Sequence, residues 1–218
     1  MSSRILLVED HALVRSGIRS LLSDSSEVTV VGEASDGRKA LELCAELKPD
    51  MVLTDVEMRE LNGIETTRQI HAQFPQIKVI VVSMYGEAQY VREALRAGAS
   101  GYVLKHDAFT ELLAAIRTVA SGKRYISAQL SDLVMDDYVR RGDGTQPAND
   151  LDKLSARERE ILQLVAEGHS SGQIAGILHI STRTVDAHRS NVMQKLAIHS
   201  IASLTKFAIS HGLTPLRQ

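Results

Sequence analysis

Apolar and polar positions alternate in blocks along the first 121 residues. Short continuous apolar runs give strands at Arg4–Val8, Val28–Glu33, Met51–Thr54, Ile77–Ser83 and Gly101–Leu104. A parallel strand covered on both faces reads this way, as an unbroken hydrophobic run without alternation. Between the runs lie segments with apolar residues at helical spacing. Ala12–Leu22 carries Leu13, Val14, Ile18, Leu21 and Leu22 in that spacing. Gly37–Leu47 is opened by Asp36, and Gly63–Gln73 is stopped by Pro75. Ala88–Ala97 ends at Gly98, and Phe109–Ala120 ends at Gly122. These residues are ordinary helix start and stop signals. Five successive β-α units predict an α/β fold: a five-stranded, doubly wound parallel sheet with right-handed crossovers and helices on both faces.

Past that point the pattern changes. Gln129–Arg141 has the spacing of one further helix, and Arg140–Pro147 is polar and marked by Gly and Pro, as flexible linkers are. From Leu154 onward everything reads as helix. Ser155 with Glu158 forms a capping box, followed by apolar Ile161, Leu162, Val165 and Ala166, with Gly168 as the stop. A short helix, Gly172–Leu178, breaks at His179-Ile180. Ser181 then caps Thr182–Leu196, and a last helix runs from about Ile201 to His211. The expected organisation is therefore residues 1–122 as the α/β domain, 123–150 as a linker with one helix, and 151–218 as an all-α domain.

Length permits this division, since 218 residues hold two cores of roughly 120 and 60 residues, each able to fold alone. Charge sharpens it. Residues 1–150 hold 17 Lys+Arg against 22 Asp+Glu, while residues 151–218 hold 8 against 5, with five histidines. An acidic site at one end and a polyanion partner at the other fit that asymmetry. A single cysteine, Cys44, excludes an intramolecular disulfide and a cysteine-built zinc site, and its helical neighbours mark it as a buried small hydrophobe. No signal peptide and no apolar span of 18 residues is present, so a cytoplasmic protein without membrane contact is expected.

Chemistry enters at the strand ends. Glu9-Asp10 closes the first apolar run and Asp55 closes the third. Ligands of open α/β sheets bind outside the carboxyl ends of the strands. If the two runs are neighbours, three carboxylates meet there, which is costly unless a cation sits among them. Hard oxygen ligands suit Mg²⁺, which keeps waters and accepts phosphate as a further ligand. Asp55 is then both a ligand and a candidate nucleophile, because carboxylates form aspartyl phosphates. Ser83 ends the fourth strand and Lys105 follows the fifth, each placed to meet a phosphoryl oxygen.

Together Leu7-Val8-Glu9-Asp10, Leu53-Thr54-Asp55-Val56 with Met58 and Gly63, Val82-Ser83 and Gly101-Tyr102-Val103-Leu104-Lys105 resemble the receiver domain of bacterial two-component systems over residues 4–121. The resemblance implies the flavodoxin-like strand order. It also implies that Asp55 accepts a phosphoryl group from a histidine kinase, that Glu9, Asp10, Asp55 and the backbone carbonyl of Glu57 hold Mg²⁺, and that Ser83, Lys105 and Tyr102 form the switch. Two positions depart from the family. Arg59 stands where Pro commonly follows the Met, and His106 where Pro often follows the Lys. A cis Lys105–His106 peptide would cost about 3 kcal/mol over trans.

The last four helices have the layout of a helix-turn-helix, whose second helix enters the major groove. Arg183, Thr184, Asp186, His188, Arg189, Ser190 and Asn191 fall on the exposed side of Thr182–Leu196, a mixture suited to phosphates and base edges. On layout alone, a helical protein-interaction domain fits equally well. Leu154–Leu162, Gly168, Ile174-Ala175, Ser181–Val185, His188, Arg189, Lys195 and Leu196 are similar to the LuxR-type DNA-binding domain. The whole chain thus resembles the NarL/FixJ class of response regulators. That resemblance implies a recognition helix in which Asp186, Ala187 and Ser190 face bases. It gives Thr182, Arg183, Thr184, His188, Arg189 and Lys195 to the rest of the DNA contact. It further implies dimerisation through Ile201, Leu204 and Ala208, with a homodimer on promoter DNA when phosphorylated. Asp186 departs from a basic residue common there and can accept from cytosine N4. The expectation is a regulator rather than an enzyme. The competing readings are a regulator with a pseudo-receiver and an aspartyl-phosphate phosphohydrolase.

Overall fold

The β-branched and leucine-rich runs form the expected strands. Ser3–Val8 (β1), Val28–Ala34 (β2), Met51–Thr54 (β3), Lys78–Ser83 (β4) and Gly101–Leu104 (β5) alternate with Ala12–Ser23 (α1), Gly37–Leu47 (α2), Gly63–Gln73 (α3), Ala88–Arg96 (α4) and Ala108–Ala120 (α5). The computed structural model describes residues 2–140 and 150–214, which fall in two compact units, one within residues 1–140 and one within 141–218. In the first unit all strand pairs are parallel, in the order β2-β1-β3-β4-β5-β6.

The sixth strand corrects the expected five. Tyr125–Ile126 (β6) pairs with β5, and Ala128–Arg140 (α6) follows it. Leu130 of α6 is buried with Tyr90, Val91 and Leu104. Residues 123–140, assigned to a linker by sequence, therefore extend the α/β unit. The remaining linker residues, 141–149, lie outside the described residues.

Adjacent residues of each strand point to opposite faces, and each face has its own cover. Ile5, Leu7, Leu53 and Val103 pack on Ile18, Leu22, Leu112 and Ile116 of α1 and α5. Leu6, Val8 and Val52 pack on Ala40, Cys44 and Ile70 of α2 and α3. Burial pushes the Cys44 thiol up to about 11, so it behaves as the small hydrophobe its neighbours indicate.

The second unit holds Ala156–Ala166 (α7), Ser171–Leu178 (α8), Thr182–Leu196 (α9) and Ile201–Ser210 (α10). Serines open all four. Ser155 and Ser170 make full capping boxes with Glu158 and Gln173, and Ser181 and Ser200 accept from the amides of Thr184 and Ser203. His179 turns the α8–α9 corner with a left-handed backbone, φ 51°. Ile161, Leu164, Ile174, Leu178, Val185 and Val192 lie in the core. Leu204 and Ala208 are buried there as well. Periodicity marked α10 as apolar on one side, and that side covers its own domain's core, leaving Ile201 exposed. Among the described residues no helix is long and apolar enough to cross a membrane.

Candidate functional site

β1 and β3 are neighbours in register, Val8 opposite Thr54, so the residues that follow them meet. Strand order also reverses at this point, since β2 lies on one side of β1 and β3 on the other. Such a reversal opens a crevice at the carboxyl end of the sheet. Glu9 and Asp55 are buried in it. One ligand atom each from Glu9, Asp10, His11 and Asp55 lies within 4.8 Å of all the others. Gly63 completes the loop after β3. A Cβ there would collide with the Asp55 carbonyl, so only glycine allows α3 to start this close.

Lys105 stands among the acids as their counter-ion. Its Nζ is 2.7 Å from Asp55 Oδ2 and 2.8 Å from Glu9 Oε2. The other Asp55 oxygen, Oδ1, accepts from the Val56 amide at 2.7 Å. Burial pushes the Asp55 carboxyl up to about 6, with Lys105 opposing and the Glu9 charge reinforcing the rise. Burial pulls the Lys105 ammonium down, but Asp55 and Glu9 outweigh it and leave it above its ordinary value. Asp10 Oδ1 is buried without a hydrogen-bond partner, with His11 Nδ1 at 2.8 Å in ion-pair rather than hydrogen-bond alignment. A carboxylate set with an orphaned buried oxygen fits a hard divalent cation, so the donor chemistry accommodates Mg²⁺.

The expected switch residues converge beside this cluster. Ser83 Oγ accepts from the Tyr85 amide at 3.1 Å, and the Tyr102 hydroxyl donates to the Tyr85 carbonyl at 2.6 Å. The Tyr85 hydroxyl donates to Glu57 Oε2 at 2.7 Å and its ring stacks on Tyr90. Tyr85 thus links Ser83, Tyr102 and the loop after β3. Sequence reasoning missed it, because nothing local distinguishes a tyrosine two residues beyond a strand end.

In the second unit, Thr182, Arg183, Thr184, Asp186, Ala187 and Ser190 are exposed along α9, with His188 and Arg189 half-buried. Four of the expected DNA contacts have partners inside the domain, and the first is Thr184, whose hydroxyl hydrogen-bonds that of Ser181 at 2.8 Å. Lys195 Nζ lies 2.6 Å from Glu158 Oε2. Ser171, at the start of α8, donates to Asp186 Oδ1 at 2.7 Å and accepts from Arg189 at 2.6 Å. Ser171 was not anticipated. Its only sequence signal is its place at the mouth of a helix.

Comparisons with known proteins agree for both units. Residues 5–117 match the response regulator receiver domain, and residues 152–208 match the LuxR family of bacterial regulatory proteins. The response regulator GacA of Pseudomonas aeruginosa is 38% identical over 211 residues, covering 96% of this chain and 97% of that protein. RcsB from Salmonella enterica serovar Typhimurium, bound to promoter DNA in the presence of phosphomimetic BeF3−, is 28% identical with a TM-score of 0.61, covering 96% of this chain and 99% of that one. A structure of two RcsB dimers bound to two parallel DNAs gives 26% identity and a TM-score of 0.61, over 96% of this chain and 99% of that one.

Proposed function

This chain belongs to the transcriptional response regulators that join a receiver domain to a LuxR-type DNA-binding domain, and from that premise we propose that phosphorylation of Asp55 by a histidine kinase controls its binding to promoter DNA. The family consists of DNA-binding regulators, not enzymes, which sets the phosphohydrolase reading aside. The observation that carries the proposal is the pairing of a buried Asp55 carboxylate with Lys105 at 2.7 Å, beside the carboxylates of Glu9 and Asp10, which offer ligand atoms within 4.8 Å of one of its own.

In the proposed reaction an Asp55 oxygen attacks the phosphorus of a phosphohistidine. The P–N bond breaks with its electron pair going to the ring, and the imidazole, already protonated on its other nitrogen in the phosphohistidine, leaves as the neutral ring. Glu9, Asp10, Asp55 and the Glu57 backbone carbonyl would hold Mg²⁺, which supplies charge neutralisation for an incoming dianion. Lys105 moves from the carboxylate oxygen to a phosphoryl oxygen. Ser83 donates its hydroxyl to another phosphoryl oxygen, and the movement of Oγ toward it draws on Tyr85, whose amide donates to Oγ, and on the Tyr102 hydroxyl bound to the Tyr85 carbonyl. The readout is a population shift toward a homodimer competent for DNA, as in the DNA-bound RcsB dimers.

On α9 we place Thr182, Arg183, Thr184 and His188 against phosphates, and Ala187 and Ser190 against bases. Asp186 and Ser171 aim the Arg189 guanidinium, so Asp186 acts on specificity through Arg189. Lys195 adds long-range positive charge while it ties α9 to α7. Among the proposed dimer residues, only Ile201 presents an exposed apolar surface.

Intact-mass measurement with Mg²⁺ and acetyl phosphate tests the phosphoacceptor. The wild type gains one phosphoryl group, and neither Asp55→Asn nor chelated wild type does. Stoichiometric labelling of Asp55→Asn overturns the assignment. Footprinting with and without the phosphodonor tests the output.

A further inference from the structure

We propose that His11 supplies an imidazole ligand which opens the acidic site to borderline transition cations, Ni²⁺ and Zn²⁺, alongside Mg²⁺. The inference rests on the reading of this cluster as a divalent-cation site and assigns a role to a residue outside the carboxylate set.

His11 occupies the N-cap of α1, where Ser, Asp or Asn would turn a side-chain oxygen onto the helix amides. It makes no such bond. The ring faces the acids instead, with Nδ1 2.8 Å from Asp10 Oδ1 and 3.2 Å from Glu9 Oε1. Metal–donor bonds of about 2.1 Å place two ligand atoms at most about 4.2 Å apart. The four donors of Glu9, Asp10, His11 and Asp55 lie within 4.8 Å of one another, so a contraction of well under 1 Å closes the set. The side chain of His11 is 64% exposed, which leaves an entry path for a cation without disturbing the sheet. Lys105 holds Glu9 Oε2 and Asp55 Oδ2, so Glu9 Oε1 and Asp10 Oδ1 are the oxygens nearest the ring.

Ligand softness gives the selectivity. Mg²⁺ takes oxygens, keeps several waters and gains little from nitrogen. Imidazole suits Zn²⁺ and Ni²⁺. One cluster therefore offers an all-oxygen set to Mg²⁺ and a mixed nitrogen–oxygen set to a transition cation, and His11 is the residue that separates them.

The test is calorimetric titration of the metal-free full chain with NiCl₂ and, separately, MgCl₂, for wild type, His11→Ala and Asp10→Asn. The chain carries eight histidines that create a background. Asp10→Asn keeps all eight, so site-specific Ni²⁺ binding is the component both variants lose. We expect His11→Ala to weaken Ni²⁺ at least about tenfold, the least that loss of a metal-orienting group costs, and to leave Mg²⁺ affinity unchanged. Zn²⁺ should shift one histidine NMR resonance of the wild type that His11→Ala lacks. An unchanged Ni²⁺ affinity in His11→Ala, or an equal loss for both metals, overturns the proposal. Absent Mg²⁺ binding with His11-dependent Ni²⁺ binding intact would overturn the Mg²⁺ reading and leave this one standing.

Discussion

Replacing Lys105 by Met removes the one ammonium that faces two buried carboxylates, and the size of the effect follows from the Asp55 carboxyl. That group sits at about 6 against an ordinary 3.8. At about 1.4 kcal/mol per pKa unit, the ionised form already costs the fold about 3 kcal/mol. The sign is that of a raised acid. Stability is fully present below the unfolded value and is lost as pH rises through about 6. Without Lys105 the cost grows until the carboxyl protonates, which caps it at about 5 kcal/mol near neutral pH. Lys105→Met should therefore lose about 2 kcal/mol through Asp55. Glu9, equally buried and 2.8 Å from the ammonium, adds to that loss. The sum falls in the range of about 3–5 kcal/mol seen when one partner of a buried pair is removed. In a unit of this size the melting temperature should drop on the order of 10 °C. Thermal denaturation in EDTA at about pH 7.5 reads this directly, and the transition of the DNA-binding unit serves as an internal control. The loss should shrink near about pH 5, where the carboxyl protonates at little cost, and Mg²⁺ should recover most of it. Asp55→Asn combined with Lys105→Met should be more stable than Lys105→Met alone. A melting temperature equal to wild type in EDTA, or a loss independent of pH and Mg²⁺, refutes the reasoning.

Gly63→Ala drives a Cβ into the Asp55 carbonyl, so a destabilisation of about 1–3 kcal/mol and impaired phosphorylation are expected, measured by urea unfolding and intact mass. Burial alone would raise the Glu158 carboxyl, but Lys195 and Ser155 hold it below its ordinary value. Its contribution is therefore present above about pH 4.5 and lost as pH falls through the folded value, and Glu158→Gln, which keeps the capping box but loses the charge facing Lys195, should cost about 0.5–1 kcal/mol and flatten that acid limb in a stability-versus-pH series. Arg183→Ala should weaken every DNA sequence alike and reduce the salt slope by about one, whereas Asp186→Ala and Ser171→Ala should each change base preference at one position by freeing Arg189. A uniform loss across sequences from either of the latter contradicts the positioning role. Residues 151–218 alone should bind DNA without phosphate, while the full chain should bind more tightly once phosphorylated. If phosphorylation changes neither dimerisation nor DNA affinity, the switch model fails and the pseudo-receiver reading replaces it.

Most of the acidic site was legible along the chain, because its residues sit at strand ends and strand ends are marked locally. Unbroken apolar runs announce buried parallel strands, and the first polar residue after each run must emerge at the same sheet edge. Glu9, Asp10, Asp55, Ser83 and Lys105 are all found that way. Two serine caps of the second unit, Ser155 and Ser181, were legible for the same reason, since a cap and the amide that donates to it lie three residues apart, whereas the caps Ser170 and Ser200 emerge only in the structure.

What the chain by itself determined is thus everything encoded over one or two turns or one strand: the β-α alternation, the division into two units, the helix starts, and the residues at the carboxyl edge. Tertiary structure decided the rest. Two residues cannot announce β6 by hydrophobic pattern; the strand exists because β5 offers it hydrogen bonds, Tyr125 N to Ser100 O at 3.1 Å and Ser127 N to Tyr102 O at 3.0 Å. The apolar face of α10 is visible in sequence, but whether it covers its own core or a partner depends on what packs against it, and Leu204 and Ala208 are taken by the former. The Tyr85–Glu57 bond spans 28 residues and the Ser171–Asp186 bond 15. The raised Asp55 carboxyl comes from desolvation by neighbours distant in sequence. Backbone preference and side-chain periodicity act between near neighbours, whereas burial and polar pairing depend on distances set only when separate elements pack together.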